Sequence, residues 1–456
     1  KRNIAALVAG SCLLLAGCGL GSGRVRSSDY PFDFKVNSLV DGRHVILLLI
    51  DGCRSDLFDE MIRAGELPAI KKYFVDCGSS ARCALSTVPS ITTAAVSAIV
   101  CGAYPGHIDI IGNRWFDRER LRRVDDLSAV SFYAPNEYLK RKTLFENLGD
   151  EMTVNVCNRL CRGSTYNVSI YYNLIGMRNF LLANWAKVDE IFMEEFWDVV
   201  ECANREGVFP RLTFIHLPGL DQVSHHHGSP SREARGHLKK IDTSIGELMG
   251  AIERNGILDS VCRIVVADHG HTPLEKENYL LLEKYFAEEF GLPVLERESR
   301  VDRSRSMKAR ERYYRKFSII VANNGRNASL YLRYNPAGRW VPPEQAGSWI
   351  EQPAWKELRR YHTPHGTVDL VEGLRRTEGI GFVVGRPERD EIAIFTATGE
   401  GRIRRKGIGT KALFAYEVVE GDDPLGYRET PGASALMDGG FHSSRDWLSS
   451  TSSAAL

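Results

Sequence analysis

Three aspartates, each set just after an apolar run, are the first residues in this sequence able to do chemistry together. Asp51 follows Val45 to Ile50 and precedes Gly52; Asp221 comes shortly after RLTFIHL at Arg211 to Leu217; Asp268 follows VCRIVVA at Val261 to Ala267 and stands beside His269. A charge at the carboxyl end of a buried strand lies in the crevice where open α/β sheets bind ligands. Asp221 and His225 are four apart, so on a helical turn both project from one face and can share a metal ion. His226 and His227 crowd the same place, and a surface run of histidines is the plainer reading of that triplet alone. Asp268 and His269 converge only if the strand has ended and the chain turns, which Gly270 permits before His271. A single Asp before Gly reads as a turn, but three apolar runs each followed by such residues make an oxygen and nitrogen ligand set suited to zinc. A hydroxyl completes the set. In STVPS, Thr87 or Ser86 precedes Pro89, a residue suited to a first helical turn, so either hydroxyl would sit at an anion site or merely cap the helix. Together these groups suggest hydrolysis of a phosphate ester between two metals about 4 Å apart.

Strands must carry these aspartates. Val45 to Ile50 is too short to span a membrane, and its content suits a strand buried on both faces of a parallel sheet; the other two runs read alike. Helices are expected over Asp56 to Ala64, Pro68 to Phe74, Ile91 to Val100, Thr143 to Gly149, Phe180 to Cys202 and Arg232 to Asn255, with a strand at Met152 to Val156. Leu238, Ile241, Ile245, Leu248 and Ile252 recur at helical intervals, whereas Met177, Phe180, Trp185 and Trp197 read as core. Asn113, after Gly112, reads by itself as a turn residue. Beyond Pro273 the character changes. Arg300 to Lys316 is dense in Arg and Lys, an exposed loop by composition. Short β-like runs at Phe317 to Ala322, Ala328 to Arg333, Ile380 to Val384, Glu391 to Thr396 and Ala412 to Val418, with a helix at Val368 to Arg375, suggest an inserted α+β subdomain over 274–456.

The 456 residues are 43% hydrophobic with a formal net charge of +1, enough apolar material for a large core and no general drive toward nucleic acid or anionic membrane. Lys1-Arg2, an apolar stretch from Ile4 to Leu15, and Leu15-Ala16-Gly17-Cys18 look like a bacterial lipoprotein signal over 1–18. That resemblance implies acylation of Cys18, export and a lipid anchor facing periplasm or exterior, with 19–42 as a polar linker. In an exported protein Cys77/Cys83 and Cys157/Cys161 could bridge short loops, though free thiols fit as well; without a CxxC pair, a structural zinc knuckle is disfavoured.

IDGCRSD, STVPS, Gly112-Asn113, DQVSH and ADHGH, in this order over Arg43 to Thr272, resemble the type I phosphodiesterase and nucleotide pyrophosphatase branch of the alkaline phosphatase superfamily. The resemblance implies an α/β fold, a three-layer sandwich around a mostly parallel sheet with its catalytic core over 43–273. It implies two zinc ions, one held by Asp51, Asp268, His269 and Thr87, the other by Asp221, His225 and a later His. Thr87 would attack phosphorus and form a phosphothreonine, with Asn113 and the Val88 N–H holding a non-bridging oxygen. The substrate would be a small phosphodiester or nucleotide-like molecule. This sequence departs from the family in two places. Val88-Pro89-Ser90-Ile91 replaces Phe-Pro-Asn-His, removing a substrate-facing aromatic. The third ligand of the second zinc is normally a downstream His-Gly; His365-Gly366 precedes a helix and His442 lacks the Gly, so the expectation is that a closing strand and its His lie beyond Leu456. A phosphomonoesterase of the same superfamily, or a lipid-anchored binding protein on an inactive hydrolase fold, are the alternatives. A sulfatase is disfavoured because no C/S-x-P-x-R context is present.

Overall fold

The computed structural model describes residues 44–426 apart from 82–83, 127–131, 169–177, 180–181, 207–208, 274–279, 296–305 and 408–412. The lipobox, the linker, Cys83, Met177, Phe180 and His442 therefore lie outside the described residues.

Five short apolar runs make the central sheet: β1 (His44–Ile50), β4 (Thr153–Val156), β5 (Tyr166–Val168), β6 (Leu212–Leu217) and β7 (Val261–Val266), with a separate hairpin, β2 (Arg114–Asp117) and β3 (Arg122–Asp125), between the first two. The order is β5-β4-β6-β1-β7 and each pairing is parallel. Side chains alternate across such a sheet. Ile46, Leu48, Ile50, Ile215 and Leu217 face one helical layer, built from α1 (Ser55–Arg63), α3 (Trp185–Glu206) and α5 (Arg232–Arg254). Leu47, Leu49, Leu212 and Phe214 face the other, where α2 (Thr92–Cys101) and the β2–β3 hairpin pack. The five apolar positions of α5 picked out by their spacing are all buried. The architecture is thus the expected α/β sandwich around a parallel sheet.

Several local expectations are corrected. β7 is not buried on both faces: it is the sheet's edge among the described residues, and Cys262 and Ile264 are exposed. Within Arg300 to Lys316, residues Met307–Tyr314 form a helix rather than a loop, because Tyr314 is fully buried beside Phe116 while the basic residues stay outside. Cys157 and Cys161 are free, as is Cys77, whose thiol donates to the Tyr73 carbonyl.

Beyond residue 273, β8 (Val294–Leu295), β9 (Ile319–Asn323) and β10 (Ala328–Leu332) form a second sheet. Ile320, Ala322 and Tyr331 on one face of it join the same apolar cluster as Leu47 and Phe116, so this part packs directly on the α2 layer. A hairpin of β11 (Tyr361–Thr363) and β12 (Gly366–Val368) and an antiparallel sheet of β13 (Val383–Glu388), β14 (Glu391–Phe395), β15 (Gly399–Lys406) and β16 (Leu413–Gly421) follow. No helix among the described residues is long and apolar enough to cross a membrane.

Candidate active site

All three aspartates gather at the carboxyl edge of the parallel sheet. Asp51 directly follows β1 and Asp268 follows β7 after one residue, while Asp221 lies in the first turn of α4 (Gly219–His227), which starts as soon as β6 has ended. The start of α4 is pinned from below. The Gly219 N–H donates to Asp189 Oδ1 at 3.0 Å, and Asp189 Oδ2 meets His237 Nε2 at 2.7 Å in a buried pair. A Cβ at position 219 would fall 2.4 Å from Asp189 Oδ2, so only glycine lets the helix approach this closely.

The donors form two adjoining groups that share Asp221. In the first, His269 Nε2 lies 3.6 Å from Asp51 Oδ1 and 3.4 Å from Asp268 Oδ2, and donor atoms of Asp51, Asp221 and His269 are all within 4.8 Å of one another. Asp268 Oδ1 accepts from the N–H of Gly52 and of His269, and Asp51 Oδ2 meets His216 Nε2 at 2.8 Å. The other oxygens, Asp51 Oδ1 and Asp268 Oδ2, are buried without a hydrogen-bond partner. Burial pushes both carboxyls well above their ordinary range, and the charge of Asp221 raises Asp51 further, as that of Asp51 raises Asp268. Buried oxygens with no partner and like charges this close are what a bound cation relieves. The residues present therefore fit a divalent metal.

The second group comprises Asp221, His225 and His271. Asp221 Oδ2 lies 3.3 Å from His225 Nε2 across one helical turn, and Asp221 Oδ1 lies 2.6 Å from His271 Nε2. Burial pushes the Asp221 carboxyl up, but the hydrogen bonds from both imidazoles outweigh it and hold the group below the usual carboxylate range. The same bond from Asp221 raises His225.

The hydroxyl at this site is not the expected one. Pro89 does not open the helix. Ile91 is still extended and α2 begins at Thr92. Thr87 therefore stays in the preceding loop, donating to the Pro89 carbonyl at 3.2 Å, and none of the contacts that join the strand ends reaches it. Ser86 ties that loop to the Asp268 carbonyl at 2.5 Å. Thr92, buried in the first turn of α2, has its Oγ1 3.1 Å from His269 Nε2. The structure thus replaces Thr87 by Thr92 as the hydroxyl beside the metal-competent group. Asn113 lies near that helix start, where the Thr93 N–H donates to Asn113 Oδ1 at 2.9 Å. With its oxygen so committed, Asn113 can offer only its NH2 to a ligand.

Of the expected ligands, Asp51, Asp221, His225, Asp268 and His269 come together. His365 does not join them; its ring meets the Glu289 carbonyl at 2.9 Å in the β11–β12 hairpin. Sequence reasoning missed Thr92, His216 and His271. A signal existed for His216, an imidazole inside an otherwise apolar strand, paired in register with Leu49 two residues before Asp51.

Residues 45–353 match the family described as type I phosphodiesterase/nucleotide pyrophosphatase. Among curated relatives, the chain is 25% identical over 255 residues to rat (Rattus norvegicus) ectonucleotide pyrophosphatase/phosphodiesterase family member 1, a match covering 55% of this chain and 26% of that protein. It is 23% identical over 202 residues to an uncharacterized pyrophosphatase/phosphodiesterase of Schizosaccharomyces pombe, covering 44% of this chain and 40% of the relative. Among solved structures, murine ectonucleotide pyrophosphatase/phosphodiesterase 5 aligns with a TM-score of 0.46 at 16% identity, over 64% of this chain and 66% of that one. The match thus spans about a quarter of the rat relative's length. A family match that runs from β1 through both ligand-bearing strand ends and on past the second sheet places this chain in the type I phosphodiesterase/nucleotide pyrophosphatase family.

Proposed function

We propose that the protein is a metal-dependent hydrolase of phosphodiester or pyrophosphate bonds in which Thr92 is the nucleophile. One observation carries this reading: the Thr92 hydroxyl stands at the head of α2, 3.1 Å from His269, beside two carboxylates whose buried oxygens lack partners. Asp51, Asp268 and His269 would hold one divalent ion, zinc by the chemistry of the donors, and Asp221 with His225 a second. Such ions supply positive charge that lowers the pKa of a hydroxyl and offsets charge on the leaving oxygen.

The chain's own residues do the rest. Thr92 Oγ1 gives up its proton to solvent and bonds to phosphorus as the bond to the leaving oxygen breaks, and that oxygen departs with the electron pair and takes a proton from solvent. Water then attacks the phosphothreonine, the P–Oγ1 bond breaks, and the hydroxyl regains a proton. The first turn of α2 would offer N–H groups to the phosphate, and the Asn113 NH2 would stabilise a non-bridging oxygen as its charge grows. His216, which burial keeps neutral with a pKa pushed down to about 4, holds Asp51 in position. The substrate class, a small phosphodiester or nucleotide-like molecule, is what the family and this donor set support.

The test pairs the two threonines. Thr92→Ala should lower turnover of bis-nitrophenyl phosphate by at least about a thousandfold while retaining metal, and Thr87→Ala should stay within about threefold of the parent. Equal losses, or a larger loss in Thr87→Ala, would return the nucleophile to the loop.

A further inference from the structure

We infer that His271 is the third protein ligand of the second metal position. The inference rests on the metal-dependent reading above and completes it from within the strand-end motif. Asp221 engages both imidazoles at once, Oδ2 toward His225 at 3.3 Å and Oδ1 toward His271 at 2.6 Å, and the two rings stand edge to face with centroids 4.8 Å apart. The three donor atoms lie within 4.8 Å of one another. A zinc shell with bonds of roughly 2.0–2.2 Å spans about 4 Å, so side-chain shifts of under an ångström bring all three onto one ion. One carboxylate and two imidazoles leaving an open position is the ligand set of a hydrolytic rather than a structural zinc.

Two further features point into the same space. Gly52, just after β1, has φ of +68°, and a Cβ there would fall 2.9 Å from both Asp221 Oδ1 and the His271 ring. The backbone is thus shaped around this pair. Asp51 Oδ1, buried and without a hydrogen-bond partner, belongs to the adjoining group through its closeness to Asp221. The second position therefore borders a carboxylate oxygen that itself requires a cation. Among the described residues no other histidine joins these donors, and His365, the dipeptide candidate, is occupied with Glu289. The placement of His271 follows from local sequence: β7 ends, Gly270 turns the chain, and His269 and His271 are sent to the two groups, their rings 6.0 Å apart.

The experiment is zinc titration of metal-stripped full-length protein by calorimetry, with bound metal counted by mass spectrometry after dialysis and the far-UV circular dichroism of each variant as a fold control. The parent should bind two ions. His271→Ala and the bulkier His271→Gln should keep one tight site and weaken the other by at least about a hundredfold, while His365→Ala keeps both. With cobalt substituted for zinc, the visible absorption of one site should change in the His271 variants only. Two ions bound with unchanged affinity in both His271 variants would overturn the inference and leave the metal-dependent reading standing. A parent chain that binds no zinc would overturn that reading itself, and this inference with it.

Discussion

The two donor groups share Asp221 yet carry opposite electrostatic burdens. Around Asp51 and Asp268, charge is in surplus: both carboxyls are buried, each has an oxygen without a hydrogen-bond partner, and burial raises both pKa values, with the charge of Asp221 adding to the rise at Asp51 and that of Asp51 to the rise at Asp268. Around Asp221, hydrogen bonds from two imidazoles outweigh burial, and the carboxylate is held below its usual range. The half-exposed His225 side chain lets solvent into the second group, whereas Asp268 is sealed. A bound metal ion would thus do different work at each. At the first it would relieve a site that is costly to fold without it, and at the second it would compete with hydrogen bonds that Asp221 already has from two imidazoles.

The largest effect that could break this contrast comes from replacing the carboxylates with amides of the same shape. Asp268→Asn should lower diesterase turnover by at least about a thousandfold, since a metal contributes several kcal/mol to a transition state of this kind. In metal-free protein the same change should raise the thermal midpoint by about 2 °C. It keeps the acceptor for Gly52 and His269, removes a buried charge, and presents an NH2 toward Asp51. Asp221→Asn should also reduce turnover but lower the metal-free midpoint, because it takes the partner from His225 and His271. Midpoints that move in the same direction would show that the two groups are not differently balanced.

A smaller effect sharpens the comparison at the first group. His216 donates to Asp51 from near the end of β6 and is too deeply buried to take up a second proton near neutral pH. Replacing it with a leucine of similar bulk, His216→Leu, should weaken metal binding by about 10- to 100-fold, the usual cost of losing such a support. Turnover should return at saturating zinc. A loss in kcat that added zinc leaves in place would mean that His216 acts on the reaction by another route.

How much of this arrangement was legible in the sequence depends on which physical signal each part used. Strand ends were readable because a run such as VILLLI stops at a charge, and the parallel sheet then brings Asp51, Asp221 and Asp268 to one edge. The Asp221 and His225 pair was readable because helical spacing alone sets it. The hydroxyl beside His269 was not, because it depends on where α2 begins. Pro89 gives a start signal, but Ile91 is extended and the first turn opens at Thr92, so the hydroxyl chosen by motif lies five positions before the one that meets His269. The helical stretch Met307–Tyr314 was hidden by its charge, since a single buried tyrosine anchors it. His271 was in view within ADHGH, but its partner Asp221 lies on a different strand's extension, and only the sheet order joins them.

A third buried carboxylate serves as the control for the whole contrast. Asp126, wholly buried after β3, takes the Thr93 hydroxyl and Arg159 Nη1, the latter at 3.1 Å, yet burial outweighs the nearby guanidinium and raises its pKa. A carboxyl that holds its proton more tightly when folded contributes most to stability below its unfolded value, near pH 4, and loses that contribution as pH rises through the raised folded value. Asp126→Asn removes this slope. Relative to the parent, the variant's urea midpoint should therefore increase as the pH rises from about 4, on top of a constant loss from depriving Arg159 of this partner. Because Asp126 is separate from the donor groups, the slope should be the same with and without zinc, whereas the Asp268→Asn shift should appear only in metal-free protein. A zinc-dependent slope at Asp126 would mean that the charge surplus extends under α2, and the boundary drawn here around Asp51 and Asp268 would be too narrow.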